Sequence, residues 1–226
     1  MKFTNKKLII FDLDGTLIDS SPDLALAINH MLKTLNKESY SPDEIHHWVG
    51  NGAEVLVKRA LSGNKKIDDS LDPTLCSQAL EIFFDFYRQN LTVNTITYPQ
   101  VYETLALLKE HGYRMAIASN KPFAFIEPIL DALKLNAYFE LYLGGDSVEQ
   151  KKPHPSLLLY VCEKLNINVE DAVMVGDSKN DILAARACNM NSIGLSYGYN
   201  YGEPLELENP DVVFDNFGDI SKLFMD

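Results

Sequence analysis

No apolar run in this chain approaches the ~20 residues that a membrane-spanning helix requires. The opening stretch "MKFTNKKLII" turns acidic too soon for the apolar segment of a secretory leader. Basic charge is scarce: 20 Lys and Arg stand against 32 Asp and Glu, a formal net charge of -12. That balance argues against a nucleic-acid backbone or an anionic membrane as the main partner. It also means that any anion site must supply its own local positive charge. Cysteine is sparse as well. Cys76, Cys162 and Cys188 are odd in number, widely spaced and free of any CxxC pattern, so reduced thiols in a cytoplasmic protein are expected. Internal repeats and low-complexity segments are missing. What remains is 226 residues with an ordinary 46% apolar share, room for one large domain or one domain with a smaller insertion.

The patterning divides the chain in three. Residues 7–12 read as a fully buried strand, because Leu8, Ile9, Ile10 and Phe11 are continuously apolar instead of alternating. From about Asp19 to Asn90 the period is helical: Ala25, Ile28, Leu32 and Leu35 recur at that spacing, as do Leu75, Ala79, Ile82, Phe83 and Phe86. Pro22, Pro42 and Pro73 each sit beside Ser or Asp at helix starts. After Pro99 strands alternate with helices. "YRMAIAS" (113–119), "FELYLGG" (139–145), "DAVMVGD" (171–177), "NSIGLS" (191–196) and "DVVFD" (211–215) read as strands. The fold class expected is α/β, a Rossmann-like parallel sheet core with an inserted all-helical domain. Its boundaries are 1–18 and 93–226 for the core and 19–92 for the insertion after strand one.

In an open parallel sheet the ligand crevice lies beyond the carboxyl ends of the strands. The expected strands send polar groups there. Strand one ends in Asp12 and Asp14, the 113–119 strand in Ser119 and Asn120, and the 171–177 strand in Asp177, followed by Asn180 and Asp181. A further loop supplies "KKPHP" (151–155). Each piece alone passes for a turn or a helix cap. Their joint arrival at strand ends is the evidence of a site. Crowded acids with oxygen-rich neighbours suit a hard cation such as Mg2+ and lack the His and Cys ligands that zinc prefers. With the ion bound, a carboxylate at Asp12 can stay ionised and attack an electrophile. Phosphoryl transfer asks mainly for positioning and charge neutralisation, which a metal ion, a lysine and a small hydroxyl provide.

At this point "FDLDGTLIDS", "SNKP", "KKPHP" and "GDSKND" resemble the four motifs of the haloacid dehalogenase superfamily of phosphohydrolases, and the helical insertion resembles its first type of cap domain. "WVGNG" (48–52), "GGDS" and "YGYNYGEP" (197–204) look like the phosphoglycolate phosphatase branch. The resemblance implies a Mg2+-dependent phosphatase acting through an aspartyl-phosphate. Asp12 would be nucleophile and metal ligand. Asp14 would be general acid and then base, with its backbone carbonyl on the metal. Ser119 and Lys152 would hold the phosphoryl group, Asp177 would ligate Mg2+, and Asp181 would support that shell. The partner implied is a small phosphorylated substrate, with no nucleic acid or membrane, in a monomer or homodimer. Asn189 stands where a glycine is usual, and asparagine tolerates the left-handed backbone expected there.

Beside the resemblance, the two glycines of "WVGNG" precede a helical pattern, and backbone N–H groups at Gly50, Asn51 and Gly52 are expected to face the core acids and hold a substrate carboxylate, with Asn120 nearby. Trp48 and the Phe83, Phe84, Phe86 and Tyr87 cluster read as core of the helical insertion. His46, His47 and His111 lack metal spacing, and His154 sits inside the lysine motif where it could touch substrate. The rival readings are a superfamily phosphatase for a sugar phosphate, nucleotide or pyrophosphate, a phosphomutase, a dehalogenase and a non-catalytic binding module. Dehalogenation needs no second acid, and a binding module would have lost an acid or the lysine.

Overall fold

The computed structural model describes residues 2–225. The chain begins with β1 (Leu8–Phe11) and β2 (Ile18–Asp19), then four helices: α1 (Ser21–Thr34), α2 (Pro42–His46), α3 (Ala53–Ser62) and α4 (Pro73–Gln89). Next come β3 (Ile96–Thr97), α5 (Val101–Glu110), β4 (Arg114–Ala118), α6 (Phe123–Ala132), β5 (Leu141–Leu143) and α7 (Ser156–Leu165). The order finishes with β6 (Ala172–Gly176), α8 (Lys179–Ala187), β7 (Asn191–Leu195) and β8 (Val212–Phe214).

Six of these strands form one sheet in the order β5-β4-β1-β6-β7-β8, all pairs parallel. This agrees with the α/β expectation, and each strand is shorter than the apolar run that announced it. Successive side chains of a strand point to opposite faces, and both faces are covered here. Ile9, Phe11, Ile117 and Val175 join one core with α5 and α6, whereas Leu8, Ile10, Ala116 and Met174 join another with α7 and α8. A strand buried on both sides has no polar positions to alternate, which is why β1 reads as an unbroken apolar run. Because β1 pairs with β4 on one side and β6 on the other, the strand order reverses between β1 and β6. That is where a doubly wound sheet opens its crevice.

Nothing in the residue pattern announces β2 and β3, since two residues cannot display a period. They pair antiparallel, Ile18 with Thr97 and Asp19 with Ile96, so both passages between the helical block and the sheet run through one small ribbon. Asp23 clamps it. Its fully buried carboxylate accepts from the backbone N–H of Asn94 and Thr95, from Asn94 Nδ2 and from Thr95 Oγ1, at 2.7–3.0 Å. Asn189 adopts the left-handed conformation, with φ of 57°.

Candidate active site

Asp12 is the first residue beyond β1, and its N–H still donates to the Val175 carbonyl at 2.9 Å. Asp177 follows β6. Since Phe11 and Val175 are register partners, the two acids emerge side by side at the reversal point of the sheet. Asp181 reaches back from the first turn of α8, where Ser178 N and Oγ donate to its Oδ2 at 3.0 and 2.8 Å. One carboxylate oxygen from each of Asp12, Asp177 and Asp181 lies within 4.8 Å of the others. An all-oxygen donor set of this kind fits a hard divalent cation.

Three buried acids this close resist ionisation together. Burial pushes the Asp12 carboxyl up to about 7, and Asp181 and Asp14 push the same way, while Lys152 and the Leu13 N–H (2.7 Å) oppose. Asp177 is also driven well above the usual range, by burial first and then by Asp181 and Asp12. Thr16 Oγ1 at 2.6 Å and Tyr199 N at 2.5 Å work against that rise. Lys152, only 1% exposed, places Nζ 2.6 Å from Asp181 and 3.1 Å from Asp12. Burial would strip its proton, but the two carboxylates outweigh burial and hold its pKa above the ordinary lysine value. One ammonium cannot balance three carboxylates. Together with a divalent cation it can.

Asp14 is turned elsewhere. Its carboxylate accepts from Ser20 Oγ at 2.5 Å and meets Lys121 Nζ at 2.9 and 3.1 Å. Lys121 is 5% exposed, and Asp14 overrides the effect of burial to keep its pKa raised. Gly15, between the two acid positions and the next turn, has φ of 88°, and a Cβ there would strike the Asp177 carboxylate. Only glycine fits both demands.

A cavity of about 40 Å³ opens over Asp12, Asp14, Ser119 and Asn120. At ~10–15 Å³ per enclosed water, it suits a small ligand. Gly50 and Gly52 lie along its edge, and Leu56, Phe83, Tyr87 and Phe125 form an apolar roof. Lys152, Asp177 and Asp181 stand behind Asp12. Phe83 and Tyr87 are thus cavity wall as well as helical core, because the roof is the underside of that core. Trp48 is buried edge-on against Tyr40, and His154 is exposed and bonded to Ser156.

Of the cradle expected at residues 50–52, Gly50 and Gly52 border the cavity, and the geometry bears on the Asn51 N–H. The Gly50 carbonyl faces the core, accepting from Asn120 Nδ2 at 3.2 Å and Asn180 Nδ2 at 3.1 Å. A trans peptide sets its N–H opposite its C=O, so the Asn51 N–H is directed away from those amides. The Asn51 side chain reaches Asn180 at 3.5 Å and is not part of the cavity wall.

Residues 9–195 match the haloacid dehalogenase-like hydrolase family over most of the chain. The chain belongs to that family. A phosphoglycolate phosphatase of Colwellia psychrerythraea is 53% identical, with 97% of each chain covered. One from Psychrobacter arcticus is 49% identical over 94% of this chain and 93% of its own. The crystal structure of a predicted phosphoglycolate phosphatase from Haemophilus somnus superposes with a TM-score of 0.92 at 41% identity, covering 98% of this chain and 99% of that one. This haloacid dehalogenase-like hydrolase is therefore a phosphatase of the phosphoglycolate phosphatase branch. Three of its site residues escaped the motif reading. Lys121 was visible in "SNKP" but carried no assigned role. Thr16 was visible as a hydroxyl next to the DxD turn. Tyr199, whose Oη accepts from the Ser20 and Ser21 N–H groups and donates to Asp19, was visible within "YGYNYGEP" but without a role, because those partners are about 180 residues away.

Proposed function

We propose that this hydrolase cleaves 2-phosphoglycolate to glycolate and phosphate through an aspartyl-phosphate at Asp12. The observation that carries the reading is the setting of Asp12: a buried carboxylate on the cavity floor, 3.1 Å from Lys152 and clustered with Asp177 and Asp181. An oxygen of Asp12 attacks phosphorus as the bond to the glycolate oxygen breaks, and Asp14 gives that oxygen its proton. Asp14 then takes a proton from the water that hydrolyses the acyl phosphate, which returns Asp12 as a carboxylate. Ser119 Oγ and Lys152 Nζ hold the phosphoryl oxygens. Asp12, Asp177 and the Asp14 backbone carbonyl would hold Mg2+, with Asp181 behind them. When bound, Mg2+ supplies the positive charge that offsets the crowded carboxylates and the phosphoryl oxygens.

The proposal extends to organisation. Residues 19–92 form a lid over the core of 1–18 and 93–226, carried on the β2–β3 ribbon, and Gly50, Gly52 and Asn120 bound the leaving-group end when it closes. The setting proposed is cytoplasmic, with a small phosphoester as the partner. Among the described residues no helix is long and apolar enough to cross a membrane.

Phosphate release across 2-phosphoglycolate, sugar phosphates, nucleotides and pyrophosphate, with Mg2+ present, tests the substrate. Acid quenching of Asp14→Asn with labelled substrate tests the intermediate: a phosphoenzyme should accumulate there and be absent from Asp12→Asn. Faster release from another ester, or turnover by Asp12→Asn, would reject the corresponding half of the proposal.

A further inference from the structure

2-Phosphoglycolate is anionic at both ends, and Lys152 serves one of them. Its Nζ is committed to Asp12 and Asp181 on the phosphoryl side. Among the described residues that line the cavity, the charged ones are Asp12, Asp14 and Lys121. Lys121 is therefore the one cation on its wall. In a chain of net charge -12, a buried ammonium at that place is the local positive charge an anionic group needs.

Its surroundings are specific. Lys121 Nζ sits between the Asp14 carboxylate and the Tyr87 ring, whose centroid is 5.0 Å away. Polar floor meets apolar roof at this point. Tyr87 is 1% exposed and lines the same cavity; Lys121 Nζ lies beside its Oη, and its O–H has no acceptor. A buried O–H donor without an acceptor is costly, and such groups in native proteins call for an explanation. Burial also pushes the Tyr87 phenol up to about 12, so it remains a donor at neutral pH. An ammonium and an unused O–H donor on one wall are complementary to a carboxylate.

We infer that Lys121 Nζ and Tyr87 Oη form the subsite that binds the carboxylate of the substrate. The inference rests on the 2-phosphoglycolate reading and assigns its specificity to two side chains. An unsubstituted alkyl phosphate fills the phosphoryl side equally well but leaves the Tyr87 O–H without an acceptor. Lys121 meanwhile also neutralises Asp14, so its loss weakens every substrate. The discriminating quantity is consequently the ratio of kcat/KM for 2-phosphoglycolate to that for ethyl phosphate, measured on the Mg2+-loaded enzyme.

Lys121→Met should lower that ratio about 100-fold and Tyr87→Phe about 10-fold, as expected for an ammonium and for a neutral O–H donor that each meet a carboxylate. Tyr87→Phe keeps the ring stacked on Phe83 and edge-on to Phe125, so it remains informative where Lys121→Met folds poorly. Calorimetry provides a readout without turnover: 3-phosphonopropionate should lose affinity in both variants by more than propylphosphonate does. If the wild type prefers 2-phosphoglycolate and both variants lose equally on the two substrates, the subsite is overturned and Lys121 is only the counter-ion of Asp14. If the wild type releases phosphate no faster from 2-phosphoglycolate than from ethyl phosphate, the substrate reading itself falls.

Discussion

Replacing Asp12 with asparagine should strengthen the metal-free protein while it abolishes turnover. Burial and two neighbouring acids lift the Asp12 carboxyl from 3.8 to about 7. A carboxyl whose pKa is raised by folding keeps its proton in the folded state after the unfolded chain has released it. It therefore weakens the fold progressively as pH climbs from about 4 to about 7, and fully above that. A rise of about 3 units corresponds to about 4 kcal/mol at most. Asp12 interacts strongly with Asp177 and Lys152, so about half of that, ~2 kcal/mol, is the expected net gain. Asparagine keeps the shape and never ionises, and Lys152 keeps its 2.6 Å partner Asp181. For a chain of this size the gain corresponds to a Tm increase of about 4–8 °C at pH 8. The advantage should shrink below pH 7 and vanish near pH 4. Thermal unfolding in chelator at several pH values measures it, with phosphate release on the same preparation. An asparagine variant less stable than wild type at pH 8 would refute the electrostatic reasoning. Wild-type turnover would refute the covalent role.

The same acids make metal binding proton-linked. Mg2+ should raise Tm more at pH 8 than at pH 5.5, because protons must leave Asp12 and Asp177 first; an equal increment at both pH values would contradict the cluster as the site. Chelator should abolish turnover and Ca2+ should inhibit, since Ca2+ accepts a looser, higher coordination than the Mg2+ octahedron; full activity in excess chelator would rule out the metal. Lys152→Met strips a buried counter-ion from two carboxylates and should cost about 3–5 kcal/mol of stability, read from denaturant unfolding, with a native-like midpoint as the adverse result. Asn180→Ala removes the amide that joins the Gly50 carbonyl to Tyr201 Oη (2.8 Å), and should raise KM about 10-fold for every phosphoester without changing their ratio; an unchanged KM would remove Asn180 from closure.

The parts of this fold and site that were legible in the sequence share one property: the chemistry needed is local. An unbroken "LIIF" implies burial on both faces, and Asp12 one residue later must then leave at a strand end. Asp177 follows "AVMVG" for the same reason. The adjacency of those two acids was not legible from either segment. It comes from the register of β1 on β6, set by sheet pairing between residues over 160 positions apart. Asp181 could be read as an acid in a first helical turn, but its capping of Ser178 and its pairing with Lys152 required the fold. Asp23 shows the limit most plainly. It reads as an ordinary first-turn acid of α1, and its five hydrogen bonds go to Asn94 and Thr95 across the whole helical block.

The glycines of "WVGNG" show a different limit, in which a close backbone approach serves the protein's own packing as well as the cavity. Two glycines before a helix mean that a backbone must come close to something. A ligand was one candidate, and Gly50 and Gly52 do border the cavity. Their missing side chains, however, make room for protein. A Cβ at Gly50 would meet Tyr201 Oη at 2.6 Å, and one at Gly52 would meet the Asn120 carbonyl and Lys151 Nζ at 3.0 Å each. Both glycines also hold positive φ, 122° and 85°, where other residues are strained. Sequence records that a side chain is missing, never what occupies the space. Gly52→Val would accordingly disturb the packing of the helical block on the core and weaken all substrates together, so it does not isolate carboxylate recognition. The substitutions that can are those of Lys121 and of the Tyr87 hydroxyl, because Tyr87→Phe leaves the ring contact with Phe125, and so the packing of helical block on core, in place.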